Sequence, residues 1–91
     1  MKQVLSVGQC GFDHGSISRF LKSHFGVEVA AAATATSATG LLKDKPFDLV
    51  LVNRQFDADG SEGLDFVRNI KADSSLSSIP VMLITNFAEY D

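Results

Sequence analysis

Two kinds of segment alternate along the chain: short unbroken apolar runs, and longer stretches in which apolar residues recur every three or four positions. Val4-Leu5-Ser6-Val7 is a run of the first kind that stops at Gly8. It predicts a strand buried on both faces. Phe47-Asp48-Leu49-Val50-Leu51-Val52 is the strongest such run and belongs at the centre of a sheet. Residues 80–85, Pro80-Val81-Met82-Leu83-Ile84-Thr85, predict a fourth strand, with proline tolerated at its first position. Residues 27–34 predict the second strand, although its alanines are poor strand formers.

The periodic stretches lie between these runs. Ile17, Phe20, Leu21 and Phe25 recur at helical spacing and predict a helix over residues 16–25, with Asp13 or Ser16 as cap and Gly26 as stop. Ser37 caps a short helix through Leu42 that ends at residues 43–46. After a turn at residues 57–60, Leu64, Phe66, Val67 and Ile70 give an apolar face to a helix running to about Ala72. Residues 74–78 are a polar connector.

Strands alternating with helices predict one α/β domain over residues 1–91: a doubly wound parallel sheet with helices on both faces. In open sheets of this kind ligands sit outside the carboxyl ends of the strands. The positions to inspect are therefore Gly8, Gln9 and Cys10 after the first strand, Asn53 and Arg54 after the third, and Thr85 and Asn86 after the fourth.

Composition narrows the chemistry. With a formal charge of −3 and scattered Lys and Arg, the chain lacks a phosphate-neutralising surface, which argues against nucleic acid as a partner. No apolar run approaches the ~18 residues of a membrane span, and no signal segment opens the chain, so a cytoplasmic location away from membranes is expected. Cys10 is the sole cysteine and forms no internal disulfide. Cys10, Asp13 and His14 are too few and too local for a metal site, and read as a buried thiol, a helix start and an exposed imidazole. His24 sits where a helix dipole favours a cation. Asp57 and Asp59 lack the remaining ligands of a calcium loop and read as turn formers.

One stretch is more specific. The segment FDLVLVNRQFDADGSEGLDFVRNIKAD followed by IPVMLIT resembles the middle of a response-regulator receiver domain, and the likeness reaches from the start of the chain to Thr85. The resemblance implies a flavodoxin-like sheet in the order 2-1-3-4. It also implies a phosphate-accepting aspartate at the end of the third strand, where this chain has Asn53. Two acidic magnesium ligands are implied after the first strand, where it has Gly8 and Gln9. Thr85 matches the family's switch hydroxyl, and the lysine that follows a fifth strand has no counterpart. An amide is no phosphoryl nucleophile, and magnesium sites rely on carboxylates. The expectation is thus a degenerate pseudo-receiver with no catalytic residue, metal or cofactor.

The resemblance further implies a receiver truncated before its last strand and helices. The uncharged edge Val81, Met82, Leu83 and Ile84 would then be open, and two copies are expected to pair there or to exchange tails anchored by Phe87 and Tyr90. An unidentified signalling protein is expected to dock around Gly8, Gln9, Cys10, Asn53, Arg54, Gln55 and Asn86. A second reading makes the loop from Gly8 to Gly15 a small-ligand or nucleotide site, although its glycines do not follow the G-x-G-x-x-G spacing.

Overall fold

A computed structural model describes residues 2–9, 11–56 and 58–84, the side chains of 11–13 excepted. The elements run β1 (Gln3–Val7), α1 (Gly11–Phe25), β2 (Glu28–Ala32), α2 (Ala35–Asp44), β3 (Leu49–Asn53), α3 (Gly63–Ala72) and β4 (Val81–Ile84). The four strands are parallel, in the order β2-β1-β3-β4. The expected sheet and its strand order are both present.

Side chains on the two central strands alternate between faces, and both faces are covered. Leu5 and Val7 stand beside Val50 and Val52 in the β1–β3 register. They pack in one cluster with Ala38 and Leu42 of α2, Phe66 and Ile70 of α3, and Phe47, Phe56 and Leu76. Val4, Ser6 and Leu51 point the other way and are also buried. On that face Leu21 and Phe25 of α1 line a crevice of about 570 Å³ with Val4 and Leu49. Helices thus lie on both faces, α2 and α3 on one and α1 on the other. This double burial explains why the central strands read as continuous apolar runs.

Local signals set several boundaries. Thr34 caps α2 reciprocally: its Oγ1 accepts from the Ser37 N–H at 3.2 Å, and the Ser37 Oγ accepts from the Thr34 N–H at 3.2 Å. The helix therefore begins two residues before the expected Ser37, which serves inside the box instead of as the cap. Gly26, at φ +64°, ends α1 with its N–H on the Lys22 carbonyl at 3.1 Å.

Three other expectations are corrected. Helix α1 starts at Gly11, five residues before the predicted Ser16, so Gly11 and Gly15 are helical and not turn residues. Glycine costs a helix about 1 kcal/mol relative to alanine, an amount that packing against the sheet outweighs. Phe20 and Phe25 are exposed, so the buried face of α1 is narrower than predicted; the Phe20 ring stacks on His24 with centroids 4.3 Å apart. In α3 the buried stripe is Gly63, Phe66 and Ile70, while Leu64 faces solvent.

The two sheet edges differ. Strand β2 carries the exposed Glu28, whereas β4 has no charge and exposes Met82 and Leu83.

Candidate functional site

The carboxyl ends of β1 and β3 meet through a few short contacts. At φ +79° Gly8 adopts the left-handed conformation that glycine reaches without penalty, and its N–H donates to the Ala32 carbonyl at 2.8 Å. The Gly8 carbonyl accepts from Asn53 Nδ2 at 3.1 Å. A carboxylate at position 53 has no proton to make that bond. Just beyond β3 the chain turns back: the Arg54 N–H donates to the Ile84 carbonyl at 2.9 Å, and the Gly63 N–H to the Arg54 carbonyl at 2.7 Å. The first turn of α3 comes so close to the strand that a Cβ at Gly63 would overlap the Asn53 carbonyl oxygen.

Into this junction goes Phe56. It is 1% exposed, its N–H donates to the Ser61 carbonyl at 2.8 Å, and its ring meets Phe66 edge-on with centroids 6.0 Å apart. The ring lies directly over Gly8, where any Cβ would overlap it. The space that a side chain at position 8 would need is taken by an aromatic ring.

On the opposite side of β1 the packing is different. Ser6, Gln9 and His14 line a cavity of about 290 Å³ with Ala31, Ala32 and Ala33 of β2 and its end. His14 is half-buried and not exposed as expected, because α1 begins before it and turns it toward the sheet.

Of the expected site residues, the fold brings Gly8 and Asn53 into contact and sends Gln9 to the α1 side. Arg54 and Gln55 are exposed at the tip of β3, where Gln55 Nε2 donates to the Gly60 carbonyl at 3.4 Å. Val81, Met82, Leu83 and Ile84 form β4. Cys10, Asp57, Thr85, Asn86, Phe87 and Tyr90 lie outside the described residues. Phe56, Gly63, Ser6 and His14 were not anticipated in these roles. Ser6 was visible as the one hydroxyl in a run buried on both faces, and Phe56 as a lone aromatic in a polar loop.

No family model and no curated protein matches the sequence. Solved structures do. The anti-anti-sigma factor PhyR from Bartonella quintana is similar at 29% identity over 93% of this chain and 33% of its own, with a TM-score of 0.76. The chemotaxis response regulator CheY4 of Vibrio cholerae superposes with a TM-score of 0.81 at 22% identity, over 98% of this chain and 72% of its own. A response regulator receiver protein from Pseudomonas putida gives 0.81 at 20% identity, over 98% and 71%. The chain has the receiver fold. It spans about a third of the PhyR structure and about seven-tenths of the two others.

The positions that the receiver resemblance implies for magnesium, Gly8, Gln9 and Asn53, do not fit the ion. None carries a carboxylate, and octahedral magnesium is held by oxygen ligands of which one or two are usually carboxylates. Position 8 has no room for one, because Phe56 covers it. The Asn53 amide turns a proton donor toward the Gly8 carbonyl.

Proposed function

We propose that this receiver is a signalling module that works by protein–protein contact in the cytoplasm and is held in one state, without taking up a phosphoryl group. The observation that carries this reading is the Phe56 ring over Gly8, joined to the hydrogen bond from Asn53 Nδ2 to the Gly8 carbonyl. Aspartyl phosphorylation needs a positioned nucleophile and cationic neutralisation of the phosphoryl oxygens. Here an amide stands in place of the nucleophile, and a ring and a hydrogen bond hold the strand ends together. The exposed Arg54 and Gln55 at the β3 tip belong to the surface a signalling partner would read.

The test is intact mass after incubation with magnesium and a small acyl-phosphate donor, beside a phosphorylatable receiver. The expected result is an adduct on the control only. A stoichiometric phosphate on this chain overturns the reading.

A second copy of the chain is proposed as one partner, paired along β4. That strand has the composition of an edge that associates: it is uncharged, with Met82 56% and Leu83 37% exposed, whereas the β2 edge carries Glu28. Light scattering should give twice the monomer mass, and Leu83→Lys should return it to monomer. Monomer alone throughout the micromolar range removes the dimer while leaving the phosphorylation result untouched.

A further inference from the structure

The cavity between α1 and the ends of β1 and β2 gathers several buried polar atoms. Ser6 Oγ, Gln9 Nε2 and His14 Nδ1 are buried and, among the described residues, have no hydrogen-bond partner. All three side chains line the same cavity of about 290 Å³. Ser6 is only 1% exposed and lies on a central strand, so it cannot turn to bulk solvent. Native structures leave few buried polar groups unpaired, and three around one space mark a place built to receive hydrogen bonds from outside the chain or to give them.

The chemistry of the three groups selects the ligand. Gln9 Nε2 can only donate, the Ser6 hydroxyl can donate, and His14 Nδ1 donates whenever it carries the ring proton. Among the described residues that line the cavity none is acidic, and the remaining three are alanines. His14 lies in the first turn of the fifteen-residue α1, whose dipole favours negative charge at that end. The volume is at the floor of the usual ligand range of about 300–1,000 Å³, which suits a small anion and not a dinucleotide. We propose that this cavity binds a small oxyanion, a phosphate or carboxylate group, held by Ser6 Oγ, Gln9 Nε2 and His14 Nδ1. The site is separate from the β1–β3 junction and does not depend on the signalling reading.

The test is a nuclear magnetic resonance titration of the full chain with inorganic phosphate and, separately, with acetate, at ionic strength held constant with chloride. The expected result is a saturable shift at the Gln9 side-chain amide and at the backbone of His14, Ala32 and Ala33. A response to phosphate alone, to acetate alone or to both supports the proposal and states which source of oxyanion the cavity accepts. Ser6→Ala and Gln9→Leu should each weaken binding by about tenfold or more, the effect of losing a hydrogen bond to a charged group. Arg68→Ala, on the exposed side of α3, should leave affinity unchanged and guards against a general salt effect. No shift with either anion at tens of millimolar, shifts scattered over surface lysines and arginines, or binding that survives Ser6→Ala and Gln9→Leu combined in a folded chain would each overturn it.

Discussion

At its carboxyl end β1 meets β3 on one side and β2 with α1 on the other, and the two junctions are built from opposite materials. Toward β3, Gly8 has no side chain, a phenyl ring fills the space, and Asn53 places its amide proton on a carbonyl. Toward β2, the wall includes three alanines, the space is open, and three buried polar atoms have no partner among the described residues. The contrast teaches that packing and chemistry compete for the same volume. A metal or phosphoryl site needs charge and room, and in the proposed reading Gly8, Asn53 and Phe56 give both up for aromatic burial. The neighbouring junction keeps its polar groups and leaves room beside them.

Removing the plug should have the largest effect. Phe56→Ala is expected to cost ~3–5 kcal/mol, the range for truncating a buried aromatic, measured by urea denaturation. Gly8→Ala comes next, at ~2–4 kcal/mol, from left-handed strain and overlap with the ring. In a Phe56→Ala background the second cost should fall to the strain alone, ~1–2 kcal/mol, and a double-mutant cycle measures that coupling. Equal costs in both backgrounds would mean that the ring does not press on Gly8.

Asn53→Asp sharpens the comparison at a smaller scale. The carboxylate loses the bond to the Gly8 carbonyl and sets two acceptors against each other, at an expected ~1–3 kcal/mol. It should not create a phosphorylatable site, because Gly8 and Gln9 still supply no carboxylate. At the other junction the sign should reverse. Ser6→Ala removes a buried hydroxyl with no partner among the described residues and is expected to leave the ligand-free chain unchanged or up to ~1 kcal/mol more stable. A loss comparable to that of Asn53→Asp would show that Ser6 is already satisfied.

The smallest expected effect lies far from both junctions and depends on pH. The Ser75 hydroxyl at 2.7 Å and backbone N–H at 2.9 Å, followed by Lys43 Nζ at 3.2 Å, hold the Asp73 carboxyl below its ordinary range. A group whose pKa is lowered by folding stabilises the folded state above its unfolded pKa, and that contribution is lost as pH falls through the folded value. Asp73→Asn should therefore make the acid limb of the stability curve shallower, read as a smaller drop in urea midpoint between neutral pH and pH below the carboxylate range. Asp73 is half-buried and its partner Lys43 is exposed, so solvent screens the pair and the change is slight.

Much of the fold was legible because the two central parallel strands are buried on both faces and so appear as unbroken apolar runs at residues 4–7 and 47–52, and the edge strand β4 carries an apolar run as well. The start of α1 was not legible, since Gly11 and Gly15 look like chain breakers and only packing on the sheet makes them helical. The absence of carboxylates at Gly8, Gln9 and Asn53 could be read directly. That position 8 is also physically covered could not, because Gly8 and Phe56 are distant in sequence and meet only once β1 and β3 are paired. His14 misled for the same reason: its burial follows from where α1 begins.

Magnesium titration followed at the backbone amides of Gly8, Gln9 and Asn53 tests the closed junction most directly. These resonances should stay still at millimolar magnesium while those of a phosphorylatable receiver move and saturate. Saturable movement of all three, with the ion held at the strand ends, would contradict a closed junction.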